Sequence, residues 1–196
     1  MLVLGSSSPR RRAILSEYGI PFSVANPPFD ERAFVHDGSP EELAMRLAEE
    51  KGATLVGEFG NEPILTADTL VVLNGKIYNK PDDRAHALSM LMDLCGQTHH
   101  VLSGVSVRLG DEVHSAVEQT RVTLCPMTSE QIERYHNAID PLDKAGAYAI
   151  QGRGGIIVRE IVGNFDNVMG LPMHTVFNLL HPLGIDLWDY VFSTQP

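Results

Sequence analysis

The chain has 196 residues, of which 43% are hydrophobic, and its formal net charge at pH 7 is −10. This length and hydrophobic content allow one well-buried core and exclude an intrinsically disordered chain. The acidic charge disfavours nonspecific binding to nucleic acid or to anionic membranes, so an anionic ligand requires a local cationic cluster or a metal ion. The sequence contains neither an 18-residue apolar run nor a signal-peptide pattern, and we therefore expect a cytoplasmic protein.

Strand and helix patterns alternate along the chain, which predicts a mixed α/β fold. Residues 2–5 are typical of a buried strand. Ser8 followed by Pro9 is a typical helix start, and Gly19 ends that helix. No internal repeat and no long linker interrupts the chain, so we expect a single domain over residues 1–196.

The later elements follow from apolar spacing and from capping signals. Glu42 and Gln131 stand three residues after a serine and a threonine, the spacing of a capping box. In chain order we predict a helix from Ser39 to about Val56, a strand in PILTADTLVVLNG, a helix over 82–95, two antiparallel strands around LGDE, a helix from Thr128, a strand IIVREIV and a helix from about Leu171 to Leu180. The GRGG run before IIVREIV is predicted to be a tight turn, because it lacks the GK[ST] ending of a phosphate loop.

Several chemistries are disfavoured by missing motifs. Cys95 and Cys125 have no CxxC spacing, which favours buried thiols in a reducing compartment over a disulfide or zinc site. The eight histidines include no HxH or HxxxH pair, and no GxSxG motif supports a serine hydrolase. The chain also lacks the Walker lysine expected of many kinases and phosphotransferases.

The opening LGSSSPRRRAIL combines a strand, three serines and a helix start. Unpaired N–H groups and the positive end of the helix dipole at such a start form an anion-binding turn. Three consecutive arginines point in directions about 100° apart, so they cannot all face one ligand, and Arg10 is the candidate nearest the turn. Simple capping serines and a solvated arginine face are the alternative interpretation.

Asp68 lies in the middle of an otherwise apolar strand pattern. A carboxylate there is costly to bury unless it meets a cation or a proton donor, so it is either a functional acid or a structural acid paired with a lysine. Lys51, Lys80 and Glu31 are candidates to share its site, although each is also typical of surface charge. Two carboxylates, lysines and an arginine beside an anion-binding turn are suited to metal-assisted phosphoryl chemistry.

In this order, LGSSSPRRRAIL, FDE, RLAEEKG, LTADTLVVLNG…NKP, SGV and PLDKAGAYAIQGRGG…VGNFDNVMGLP resemble the Maf family of nucleoside triphosphate pyrophosphatases over about residues 2–180. The resemblance implies an elongated mixed sheet with flanking helices and two lobes around a central cleft. It implies a cytoplasmic, homodimeric enzyme that uses Mg²⁺ or Mn²⁺ to hydrolyse a nucleoside triphosphate to the monophosphate and pyrophosphate. A nucleotide-binding regulator of cell division without catalysis is the alternative function.

The resemblance also implies roles for individual residues. Asp68 matches the catalytic proton acceptor and, with Glu31, the metal-binding acidic pair. The implied phosphate-binding residues are Ser6, Ser7, Ser8, Arg10, Lys51 and Lys80. Small departures from the family pattern, Asn79 before Lys80 and Ser103 in SGV, affect none of these roles.

Three positions resemble the branch of the family that acts on dTTP and UTP, namely Arg10, Thr69 and Gln151. The branch that acts on 7-methyl-GTP is expected to have an aromatic residue, a glutamine and a glutamate there. A glutamine amide can donate to a pyrimidine carbonyl and accept from the ring N–H, which a glutamate cannot do. Ordinary polar residues on the surface of a sheet are the alternative interpretation of Thr69 and Gln151.

Overall fold

The computed structural model describes residues 1–31 and 33–191. Within these residues, the strands are β1 (Leu2–Gly5), β2 (Phe22–Ala25), β3 (Ile64–Leu73), β4 (Lys76–Tyr78), β5 (Thr98–Leu109), β6 (Glu112–Leu124) and β7 (Val158–Val162). They form one sheet in the order β2-β1-β3-β5-β6-β7, with β4 paired to β3. β1 pairs in parallel with β2 and β3, whereas the β3–β4 and β6–β7 pairs are antiparallel. The predicted mixed α/β class is therefore confirmed.

The helices of the described residues are α1 (Pro9–Glu17), α2 (Pro40–Ala53), α3 (Val56–Phe59), α4 (Arg84–Leu94), α5 (Ser129–Ala138), α6 (Phe165–Met169), α7 (Met173–Leu180) and α8 (Trp188–Val191). Ser8 caps α1, and Pro9 is its first residue, as predicted. Capping boxes begin α2 at Ser39 and α5 at Thr128. The three predicted starts are confirmed. The sequence is sufficient to predict them because a cap is a local interaction between residues three apart.

The chain divides into two compact units. Of the described residues, the first unit contains 1–31, 33–68, 103–118 and 170–191, and the second contains 69–102 and 119–169. In the first unit Val3, Leu55 and Ile64 pack together in a buried apolar cluster. In the second unit a larger cluster is built from one face of α4, one face of α5 and the strands beside them; it includes Leu91, Leu94, Val101, Val122, Leu124 and Ile132. The interiors of β3 and β5 are buried along most of their length, which agrees with their apolar sequences.

Some predicted boundaries were wrong. The helix predicted from Ser39 to about Val56 ends at Ala53, where the Thr54 hydroxyl donates to the Lys51 carbonyl at 2.7 Å and the separate helix α3 follows. The strand predicted over IIVREIV begins only at Val158, because the preceding residues Gly152–Ile156 wind into a 3₁₀ turn. The parallel strand β2 was not predicted, since its four residues contain no clear period.

None of the helices formed by residues 1–31 and 33–191 combines the length and the hydropathy that a membrane crossing demands. Cys95 and Cys125 are free thiols, and both are half-buried. Burial raises the pKa of Cys95 to about 11, so this thiol is protonated at neutral pH.

Candidate active site

The turn between β1 and α1 is organised around Ser6, which is buried. The Ser6 hydroxyl oxygen accepts hydrogen bonds from the Ser8 backbone N–H at 3.2 Å and from Arg11 Nη1 at 3.2 Å. Ser8 caps the helix by accepting from the Arg11 backbone N–H at 3.5 Å, while Ser7 is exposed. The predicted strand–turn–helix is therefore present, and its first serine holds the turn together from inside.

Arg11 is anchored at this turn by two hydrogen bonds. Its Nε donates to the Gly170 carbonyl at 2.7 Å, in addition to its bond with Ser6. Burial lowers the pKa of Arg11, while the negative charges of Asp68 and Glu31 raise it. An arginine remains protonated in such surroundings, so a fixed cation faces the two acids.

Sequence reasoning missed Arg11 because three consecutive arginines differ only in direction around the helix. Arg10 is half-buried, and its charge is close enough to lower the pKa of Arg11. The direction in which each side chain points depends on what packs against α1, and the Gly170 carbonyl that fixes Arg11 comes from the far end of the chain. No local signal in PRRR identifies the arginine that is held at the turn.

Asp68 and Lys51 form a buried ion pair. Lys51 Nζ lies 2.6 Å from Asp68 Oδ1 and 2.7 Å from Glu31 Oε1. The side chains of Lys51 and Asp68 are only 10% and 9% exposed, whereas that of Glu31 is 51% exposed. The two carboxylates predicted to share a site therefore converge on one ammonium group. The Lys51–Asp68 pair is compatible with both interpretations of Asp68, as a functional acid and as a structural acid paired with a lysine.

A hydrogen bond of Thr66 sets the position at which Lys51 of α2 contacts Asp68 of β3. The Thr66 hydroxyl of β3 donates to the Ala48 carbonyl of α2 at 2.6 Å. Thr66 and Asp68 lie on the same face of their strand, and Ala48 and Lys51 lie three residues apart on one face of their helix. The first contact therefore sets the register of the helix against the strand, and the ion pair follows two strand positions further on.

Glycines let the backbone of α2 approach the sheet. A Cβ atom on Gly104 of β5 would lie 2.0 Å from the Ala44 carbonyl oxygen, and one on Gly52 would lie 3.2 Å from the Thr66 hydroxyl. Since backbone cannot yield to a Cβ at 2.0 Å, Gly104 is required for α2 to occupy its place. The glycine of the SGV motif thus supports Lys51 from a distance.

The donor set of this site fits a divalent cation. In the described part of the chain, no group of three or more His, Cys, Asp or Glu is placed to hold a metal ion. Mg²⁺, however, is commonly bound through one or two carboxylates together with substrate phosphates and water. Asp68 and Glu31 are two carboxylates of this kind, and in this structure both contact the Lys51 ammonium.

The other predicted site residues belong to the second unit. Thr69 is half-buried in β3 directly after Asp68, Lys80 is exposed after β4, and Gln151 is exposed before the turn Gly152–Ile156. The structure thus joins Ser6, Glu31, Lys51 and Asp68 around Arg11 within the first unit.

The serine-rich turn, Lys51 and Asp68 belong to the ordered motifs on which the resemblance to Maf proteins rests, and in the structure they lie in the first unit of a mixed α/β fold. The chain belongs to this family, because residues 1–183 match the family model described as Maf-like protein.

Individual members of the family are similar over almost the whole chain. The dTTP/UTP pyrophosphatase of Symbiobacterium thermophilum is 45% identical over 187 residues, covering 95% of this chain and 96% of that protein. The dTTP/UTP pyrophosphatase of Chlamydia caviae is 41% identical over 191 residues, covering 97% of each. Among solved structures, the Ham1 protein of Staphylococcus aureus is similar with a TM-score of 0.48 and 17% identity, over 93% of this chain and 96% of that one.

Proposed function

We propose that this protein is a nucleoside triphosphate pyrophosphatase that hydrolyses dTTP and UTP, and related modified nucleotides, to the monophosphate and pyrophosphate. The observation that carries the proposal is the convergence of Asp68 and Glu31 on the buried ammonium of Lys51. Burying Asp68 and Lys51 is costly unless their charges are paired, and two neighbouring carboxylates are suited to holding a divalent cation that neutralises the phosphates of a triphosphate. Its presence in a chain 45% identical to a dTTP/UTP pyrophosphatase supports the assignment.

In the proposed reaction, the triphosphate binds the turn formed by Ser6, Ser7, Ser8 and Arg10, and Lys51 and Lys80 contact its phosphates. Asp68 orients a water molecule and accepts its proton as the water oxygen attacks the α-phosphorus. The bond between the α-phosphorus and the bridging oxygen breaks, and pyrophosphate leaves. Arg11 adds a fixed positive charge that interacts electrostatically with Asp68 and Glu31.

Glu31 and Asp68 are the residues that we propose to hold Mg²⁺ or Mn²⁺. A bound divalent cation supplies neutralisation of the phosphate oxygens. The net charge of the chain is −10, so the protein as a whole repels a polyanion. Binding of the triphosphate therefore has to depend on a few local cations, namely Arg10, Lys51, Lys80 and the divalent metal ion.

Base selection is proposed to depend on Arg10, Thr69 and Gln151. Phosphate contacts are common to every nucleoside triphosphate, so discrimination must come from groups that meet the base or limit its pocket. The Gln151 side chain makes no capping hydrogen bond to the 3₁₀ turn that follows it, which leaves that turn independent of its amide. The amide is suited to the N3–H and a carbonyl of uracil or thymine.

The decisive experiment measures pyrophosphate release from a panel of ordinary and modified triphosphates with Mg²⁺ or Mn²⁺. Phosphate is detected with malachite green after inorganic pyrophosphatase is added, and omitting that enzyme is the control. We expect UTP and dTTP to be hydrolysed with higher kcat/KM than CTP, ATP and GTP. Release of orthophosphate without added pyrophosphatase would contradict the reaction, and nucleotide binding without turnover would favour the non-catalytic regulator.

We further propose a cytoplasmic homodimer. Nucleoside triphosphates are made and consumed in the cytoplasm, which supports the location. Size-exclusion chromatography with light scattering tests the assembly, and a mass of twice 21.5 kDa is expected.

A further inference from the structure

The backbone immediately before Gln151 is held in an unusual conformation. Gly146 has φ of 69° and Ala147 has φ of 59°, so two consecutive residues adopt left-handed backbone. Ala147 is completely buried, and left-handed backbone is strained for an alanine because its Cβ atom approaches the following carbonyl oxygen. A conformation of this kind persists only where the surroundings impose it.

Two consecutive residues of α5 form hydrogen bonds with the backbone of residues 147–149, which are called the gripped segment below. The Tyr135 hydroxyl accepts from the Ala149 N–H at 3.0 Å and donates to the Ala149 carbonyl at 3.2 Å. His136 Nε2 lies 2.9 Å from the Ala147 carbonyl oxygen. Because a carbonyl can only accept, His136 is the donor and carries its proton on Nε2.

A third side chain holds the residue between them. His99 of β5 is fully buried, and its Nε2 lies 2.8 Å from the Tyr148 hydroxyl, with the two rings in an edge-to-face arrangement at 5.4 Å. Burial lowers the pKa of His99 to about 4 and also lowers the pKa of His136. Both histidines are therefore neutral near pH 7, and these contacts are hydrogen bonds between neutral groups rather than charge-assisted ones.

Gln151 is connected to the gripped segment on both sides. On its N-terminal side, Ala149 is two residues away along the chain. On its C-terminal side, the 3₁₀ turn folds back so closely that a Cβ atom on Gly154 would lie 2.0 Å from the Ala149 carbonyl oxygen. The carbonyl that Tyr135 binds is therefore also the surface against which the turn after Gln151 packs.

We propose that Tyr135 and His136 are positioning residues for base selection, which hold residues 147–149 so that Gln151 is presented in one backbone conformation. The inference rests on the proposed function, since it takes Gln151 as the residue that reads the base. Neither side chain is assigned a contact with the nucleotide. Each acts through the backbone of the segment that ends at Gln151.

The hydroxyl of Tyr135 is the informative group, because its ring is buried in the apolar core of the second unit. Tyr135→Phe retains the ring and leaves the N–H and carbonyl of Ala149 without their partner. Tyr78→Phe is the matched control, since Tyr78 is also buried in that core and its hydroxyl donates to Asp93 at 3.1 Å, outside the gripped segment. A further pair, His136→Leu and His136→Gln, removes or retains a donor for the Ala147 carbonyl.

The test measures kcat/KM for UTP and CTP, together with the melting temperature, for the wild type and these four variants. In Tyr135→Phe and His136→Leu we expect the UTP-to-CTP ratio to fall by about tenfold, through a higher KM for UTP, as the loss of one or two hydrogen bonds predicts. His136→Gln should restore most of the ratio, and Tyr78→Phe should lower only the melting temperature.

A wild-type ratio in Tyr135→Phe and His136→Leu, with a melting temperature lowered as in Tyr78→Phe, would overturn the inference and leave the proposed function intact. Failure of the proposed function is seen in the wild type itself, as absent hydrolysis or as equal rates with UTP and CTP, and it overturns the inference as well. If His136→Leu does not fold, Tyr135→Phe, which retains the core volume, decides the question by itself.

Discussion

Lys51 Nζ lies 2.6 Å from Asp68 Oδ1, and both side chains are about nine-tenths buried. The same ammonium lies 2.7 Å from Glu31 Oε1, so one cation is shared by an interior carboxylate and by a more exposed one. Removing one partner of a buried pair costs about 3–5 kcal/mol because the other charge remains unpaired. We therefore expect substitutions of Lys51, Asp68 and Glu31 to differ in how much each changes the stability of the fold and how much each changes the catalytic activity.

Replacing Asp68 by asparagine should abolish most turnover while preserving the fold. The amide has nearly the shape of the carboxylate and can still accept from Lys51, whose charge also keeps Glu31 as a partner. Asparagine neither accepts the proton of water nor provides a good metal ligand. Steady-state hydrolysis of UTP and circular dichroism check this, and wild-type turnover across pH would disprove the role of Asp68.

Alanine at Lys51 or at Lys80 should lower kcat/KM for UTP much more than alanine at Lys76. Lys76 is an exposed lysine whose 2.8 Å ion pair with Asp93 lies outside the proposed site, which makes it the control. Lys51→Ala should also lower the melting temperature, because Asp68 remains buried without its cation, whereas Lys80 is exposed and its loss should affect activity alone. Equal small effects at all three positions would indicate surface charge without a role in catalysis.

Gly104→Ala should lower both stability and activity although the residue has no side chain near a reacting atom. Its Cβ would lie 2.0 Å from the Ala44 carbonyl, so α2 must move and carry Lys51 with it. We expect a loss of about 1–3 kcal/mol in the free energy of unfolding and a lower kcat. Gly57→Ala is the control, since a Cβ there meets no atom within 4 Å. Unchanged kinetics in Gly104→Ala would show that the position of α2 does not matter for catalysis.

Combining Arg10→Trp, Thr69→Gln and Gln151→Glu should erode the preference for UTP while hydrolysis through Asp68 continues. The substituted residues are those expected of the branch that acts on 7-methyl-GTP. An unmet buried polar group costs about 1–3 kcal/mol, which is sufficient to change the order of substrates. Competition between UTP and 7-methyl-GTP measures the result. If the unmodified protein already prefers 7-methyl-GTP, the assignment of the three residues is wrong, although pyrophosphate release could still occur.

The stability of the protein should fall as the pH drops from about 6.5 toward 4. Burial lowers the pKa of His99 from 6.5 to about 4, so in this range the unfolded chain binds a proton that the folded chain does not. The full shift corresponds to about 3 kcal/mol, present above pH 6.5 and lost as the pH approaches 4. Chemical denaturation at pH 7 and pH 5 measures the change. His99→Gln should reduce it, and an identical pH dependence in that variant would contradict the assignment.

Local signals in the sequence were sufficient to predict several elements. Ser8 and Pro9 mark the start of α1 as predicted, and the capping boxes at Ser39 and Thr128 mark the starts of two more helices. Asp68 was predicted to lie inside a buried strand, and it does. These features depend on residues within a few positions of one another, so their physical causes are contained in short segments.

Contacts between distant segments were decided by the tertiary structure alone. That Lys51 meets Asp68 depends on the register of α2 against β3, which the Thr66–Ala48 hydrogen bond sets across 18 residues. The direction of the Arg11 side chain, which interacts electrostatically with Asp68 and Glu31, depends on the Gly170 carbonyl, 159 residues away along the chain. The sequence by itself therefore determined which residue types and local elements are available. The packing of helices on the sheet determined which of these residues meet, because the energy of such contacts depends on close approach in space rather than on spacing along the chain.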